Sequence, residues 1–198
     1  MISAFIGDII EVAFCFVTMG TLMSRSSLVY GPLSVVWGLG GVIFTVFFYK
    51  HRYRPAWLIL LAGIVLGGVY EYICSLFTEI VFGTVFWDYS GFMLNVSGRI
   101  NILYCSFWGI AALCYIRFLY PVLSRLIEMQ KKRPAIILTW ICLAAVILDI
   151  FISAMALMRF RDRQKGLPAS SVADEYIDEL YDDSFMIEKY PKAKPVDE

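Results

Sequence analysis

The sequence predicts an all-α fold: a polytopic membrane helix bundle of about five transmembrane helices followed by a short polar C-terminal tail. Composition is the first reason. Of 198 residues, 60% are hydrophobic and 16% aromatic, and a soluble domain of that size lacks the interior to hide them. Segmentation is the second, because the apolar residues collect in five runs, and spanning the hydrocarbon takes roughly 20 apolar residues. The third is that helices satisfy their own backbone hydrogen bonds, as lipid requires.

The first run, Ile2 to Met23, lacks the basic start and small-residue cleavage pattern of a signal peptide and reads as a retained helix. Ser24-Arg25-Ser26-Ser27 ends it. Gly31-Pro32 then opens the second run, Leu33 to Tyr49, with proline in the first turn, where its missing N–H costs nothing. After the basic break Lys50 to Pro55 comes the longest run, Ala56 to Phe82, in which Gly63 and Gly67 form a small-xxx-small pattern suited to close helix approach. A polar loop follows, with Trp87 and Tyr89 placed for the interfacial aromatic belt. Ile100 to Leu123 and Ala135 to Met158 complete the bundle, separated by Gln130 to Pro134. All five cysteines lie inside apolar runs and are expected to be free thiols.

Two regions follow from the charge distribution. Residues 1–158 hold ten Lys/Arg and seven Asp/Glu, whereas residues 159–198 hold seven and ten. The second region reads as a polar, largely disordered tail: a basic collar from Arg159 to Lys165, suited to anionic headgroups, then an acidic segment from Asp174 to Asp183.

Charges inside the apolar runs are the candidate functional residues, because a carboxylate in hydrocarbon costs several kcal/mol unless it pairs, takes a proton or meets water. Treating adjacent spans as antiparallel, with a rise of about 1.5 Å per residue, puts Glu11 and Arg117 at similar depths of about 14 and 15 Å. Asp149 and Glu71 come out at about 22 and 24 Å. Glu11 and Arg117 are therefore expected to pair as opposite charges; Glu71 and Asp149 either meet as like charges sharing a proton or a cation, or sit on different helix faces, each protonated or bonded to Tyr, Ser or backbone groups. Glu79 falls on nearly the same helix face as Glu71, with Ser75 between them, so that face should line a polar cavity or an assembly surface. Asp8 shares a face with Glu11 but lies nearer a surface, where headgroup water can serve it.

The polar loop and the spans around it carry a resemblance. Trp87-Asp88-Tyr89-Ser90, Asn95, Gly98-Arg99-Ile100 and Ser106-Phe107-Trp108-Gly109 stand together with Glu11 in the first span and Tyr30-Gly31-Pro32-Leu33 before the second. Glu71-Tyr72, Glu79 and Phe82 complete the pattern in the third. This set resembles the ABC-transporter type IV, or CmpB-like, family of bacterial membrane proteins, from about Phe5 to Leu126. Asp149 to Ser153 resembles that family's last span. At two places the chain departs from the family: Asp8 replaces an aromatic residue, and Ser34 to Gly38 replaces a proline-containing stretch. The resemblance implies a multi-pass component of the cell membrane associated with transport. In the loop itself, Asp88 and Asn95 are suited to capping turns and Arg99 to an ion pair that locks two helices.

No Gly-x-x-x-x-Gly-Lys-Ser/Thr motif occurs, so ATP-driven transport would need a separate ATPase or other membrane subunits. The single histidine, His51, lies in a basic loop, and neither His-x-x-x-His nor Cys-x-x-Cys spacing occurs. No cofactor, metal or nucleic acid is expected beside the lipid bilayer. Two other classes fit the same residues: a membrane enzyme using paired carboxylates as acid and base, and a non-catalytic scaffold whose acidic tail recruits a partner.

Overall fold

A computed structural model describes residues 1–196. Among the described residues the chain is mostly helical, and four helices are long and apolar enough to cross a membrane: Ile2–Met19, Ala56–Phe82, Ile102–Glu128 and Lys132–Gln164. A shorter apolar helical stretch covers Val35–His51. The helices are α1 (Ile2–Met19), α2 (Val35–Phe48), α3 (Ala56–Phe82), α4 (Ile102–Cys114), α5 (Tyr120–Glu128) and α6 (Lys132–Gln164). Two short ones, α7 (Val172–Leu180) and α8 (Asp183–Lys189), follow in the tail. Four two-residue strands, β1 (Thr84–Val85), β2 (Asn95–Val96), β3 (Ile100–Asn101) and β4 (Lys194–Pro195), pair β1 with β4 and β2 with β3, both antiparallel. The all-α expectation holds. Along α6, Ile137, Leu138, Trp140, Ile141 and Phe151 are each more than half exposed, the dress of a helix surrounded by lipid.

The chain divides into two compact units: Met1–Gly38, Ser75–Trp87 and Ala145–Glu198 form the first, and Leu39–Cys74 with Asp88–Ala144 the second.

In the first unit the segment after α1 departs from expectation. Gly20, in the left-handed conformation at φ 71°, caps α1 through its N–H to the Phe16 carbonyl. The chain then turns back instead of leaving, and by Ser34 its N–H reaches the Ala4 carbonyl at 3.1 Å, at the start of α1. Residues 20–34 thus retrace the length of α1 without forming a helix. Non-helical backbone packed along an apolar helix persists only where its polar groups are satisfied. Serines do much of this: the Ser26 hydroxyl accepts from the Leu28 amide and lies 2.9 Å from the carbonyls of Leu28 and Gly31, while Ser27 Oγ accepts from the Val35 amide at 3.0 Å. At its start α2 presses so closely on α1 that a Cβ on Gly7 would lie 2.0 Å from Trp37 Cγ.

The tail corrects the expectation of disorder. It forms α7 and α8, capped by Ser171 and Asp182, and buries Ile177, Tyr181, Met186 and Tyr190 in a core with Val29, Ala156 and Leu157. Its acidic segment meets the basic collar of the same chain. Arg159 donates from Nε and Nη2 to Asp178, while Arg163 binds Asp178 and Asp183. Charge density argued for a solvated tail only as long as each charge was counted alone. The boundary at residue 158 also falls inside α6, which continues to Gln164.

In the second unit α3 and α4 meet through small residues. A Cβ on Gly63 would lie 2.8 Å from the Ala112 Cβ, and one on Gly67 2.2 Å from the Trp108 Cβ. Between α4 and α5 the helix loosens into a π turn, Tyr115–Leu119. Pro121 accounts for it, since proline has no N–H to give the Arg117 carbonyl and its ring crowds that oxygen.

Candidate functional site

Glu11 projects from the middle of α1, and both its oxygens are engaged: Oε2 by Arg25 Nε at 2.9 Å and Oε1 by Trp37 Nε1 at 2.6 Å. Its counter-charge is therefore Arg25, from the returning segment, and not Arg117 as the depth scale suggested. That scale assumed that every hydrophobic run crosses once and reverses, and residues 20–34 break the assumption. Arg117 sits in the π turn of the second unit and donates to the Arg54 carbonyl.

Asp149, on α6, holds the returning segment from the other side. Its Oδ1 accepts from the Tyr30 amide and from the Ser153 hydroxyl, both at 3.2 Å, and Ser153 in turn accepts from the Val29 amide at 2.8 Å. The carboxylate is 9% exposed. Glu79, in the same unit, is half-buried in the last turns of α3, and its carbonyl accepts from Gly83.

Glu71 belongs to the second unit and is 6% exposed. The Tyr89 hydroxyl donates to its Oε1 at 2.9 Å, and Trp108 Nε1 to its Oε2 at 3.1 Å. Such donors offset part of the cost of burying a carboxylate. Glu71 and Asp149 thus fall in different units, each with its own donors.

The loop motif supplies one of those donors and is locked locally. Asp88 Oδ1 accepts from the Ser90 amide at 2.9 Å, and Asn95 Oδ1 from the Gly98 amide at 2.9 Å. The Asn95 side-chain amide donates to the Phe92 carbonyl at 2.7 Å. Asn101 caps α4 by accepting from the Leu103 amide. Tyr89 stacks on Tyr104 at 4.5 Å, and the Arg99 guanidinium lies over the Tyr72 ring. Trp87 ends the neighbouring segment of the first unit.

Asp8 is the residue that sequence reasoning set aside. It is 4% exposed, and its Oδ1 has no hydrogen-bond partner among the described residues. It lines a cavity of about 420 Å³ in the first unit together with Val12, Leu22, Ser26, Gly31 and Lys189. Lys189, from the end of α8, donates to the Gly31 carbonyl at 3.4 Å. Burial pushes its ammonium pKa down, while the carboxylates of Asp8 and Asp149 act to hold it up. The only hint of this site in the sequence was Asp8 one turn before Glu11. Neither the return of residues 20–34 nor the docking of the tail has a periodic signature.

Helices long and apolar enough to cross a membrane, with carboxylates buried inside each unit, define a membrane-associated helical protein. The family model described as Putative ABC-transporter type IV matches residues 1–154 of the chain, and the protein belongs to that family. No curated protein and no solved structure matches it. The match ends within α6, so α7, α8 and Lys189 lie beyond it.

Proposed function

We infer that the protein is a multi-pass component of the cell membrane that acts as a permease or as a permease-associated subunit, with a separate ATPase supplying energy. One observation carries this reading: the cavity bounded by the returning segment 20–34, with a buried carboxylate, Asp8, that lacks a donor. Structural carboxylates in this chain are provided for, as Glu11, Glu71 and Asp149 illustrate with two donors each. A carboxylate left open in a cavity of a membrane protein belongs to a solute or ion path by default. Broken backbone beside such a group is also how transporter-type bundles build binding sites between helices. The sequence has no nucleotide-binding loop, and in this reading a separate ATPase supplies ATP-driven transport.

The acidic-tail scaffold loses its main support, because Asp178 and Asp183 are spent on Arg159 and Arg163. Purification in a mild detergent followed by mass spectrometry tests the transport reading. Reproducible recovery of an ATPase subunit is expected, and a protein that is always alone and monodisperse would overturn the need for one.

A further inference from the structure

Two opposite charges line the 420 Å³ cavity without satisfying each other. Asp8 offers an oxygen with no donor, and Lys189 offers an ammonium whose one hydrogen bond, to the Gly31 carbonyl, is long at 3.4 Å. An ammonium has three donors, so two are left for something else. No ion pair joins Asp8 to Lys189 among the described residues, although both border the same space. A guest with an opposite charge at each end would match both at once.

We propose that the cavity between Asp8 and Lys189 binds a small zwitterion carrying a primary ammonium and a phosphate or carboxylate. The ammonium end goes to Asp8, whose Oδ1 has no other donor among the described residues. The anionic end goes to Lys189. Val12 and Leu22 supply apolar wall for the short chain between them. Asp149 also acts electrostatically on Lys189, as Glu11 and Arg25 do on Asp8. Because Lys189 lies outside the family match, the tail completes a site begun by the family portion of the chain. A phosphoethanolamine lipid headgroup and a free solute share this chemistry.

The inference rests on reading the cavity as a solute site, but its test is independent of any ATPase. The full chain in phosphatidylglycerol nanodiscs is titrated by calorimetry with O-phosphoethanolamine, ethanolamine and inorganic phosphate. Phosphoethanolamine is expected to bind at least about tenfold tighter than either half, since each added charge match contributes of the order of a charge-assisted hydrogen bond. Asp8→Asn and Lys189→Met should each remove about that tenfold advantage; both keep side-chain volume, and an unchanged circular dichroism spectrum confirms folding. Tighter binding in Lys189→Met would overturn the proposal, because Lys189 would then be an internal competitor. So would equal binding of ethanolamine and phosphoethanolamine, or no binding of any probe to folded protein. Repeating the titration in phosphatidylethanolamine nanodiscs separates the sources: weaker apparent binding there assigns the site to the lipid headgroup, and unchanged binding assigns it to a free solute. An ATPase partner with no zwitterion binding would sink this inference alone, and binding without an ATPase would spare it.

Discussion

Arg159, near the end of α6, and Asp178, in α7, meet through two parallel N–H···O contacts, and the guanidinium is buried. This fork is the main polar link between the tail and the helix from which it emerges, and it explains why so charged a segment is ordered.

Asp178→Asn should release the tail. The change takes the nearest carboxylate from the Arg159 guanidinium and leaves Asp162 at 3.7 Å, a loss of about 1–3 kcal/mol. Limited proteolysis should cut the variant between α6 and α8 much faster than the unsubstituted protein, while the membrane helices stay intact. Equal rates would show that the apolar contacts of Met186 and Tyr190 suffice.

Acid should release the tail late. The hydrogen bonds from Arg159 hold the Asp178 carboxyl below its ordinary value of 3.8. A group depressed in the folded state contributes stability above its unfolded value and loses it as pH falls through the folded one. Docking should therefore be unchanged from pH 7 to 5 and fail only below about pH 4, as read by hydrogen exchange of α7 and α8. Loss already at pH 5.5 would point to another titrating group.

Ser153→Ala should loosen the returning segment. It removes the acceptor of the Val29 amide and one donor to Asp149, and an orphaned buried amide costs about 1–3 kcal/mol. Exchange of amides 28–31 should rise while α1 keeps its protection.

Trp108→Phe should destabilise the second unit by about 1–3 kcal/mol, since it preserves an aromatic ring but takes the indole donor from Glu71. Gly67→Ala should cost more, because its methyl would have to lie 2.2 Å from the Trp108 Cβ in a packed contact. Thermal unfolding in detergent would rank the two, and the reverse order would argue that the α3 contact yields easily.

Much of the architecture was legible because hydropathy reports burial in lipid directly. Ala56–Phe82 appeared with the bounds the structure has, and Gly63 and Gly67 were read as close-approach positions. Turn-forming roles for Asp88 and Asn95 were also legible, since their side chains act on backbone a few residues away. What escaped was everything that depends on two distant segments. Residues 20–34 read in sequence as the end of the first run, a short break and the start of the second, and only the Ser34 to Ala4 contact reveals their return. Asp178 has the sequence context of a solvated acid, and only the fold brings Arg159 to it. Glu11 took its cation from 14 residues downstream, whereas counting depths searched another span.

The return of residues 20–34 also bears on how the membrane topology of this chain should be mapped. Ser24-Arg25-Ser26-Ser27 is the kind of hydrophilic run chosen for reporter insertion or cysteine tagging, yet Ser26 is enclosed by the carbonyls it serves and Arg25 is committed to Glu11. A bulky reporter placed there would wedge open the wall of the Asp8 cavity, and its signal would describe a damaged protein rather than a side of the bilayer.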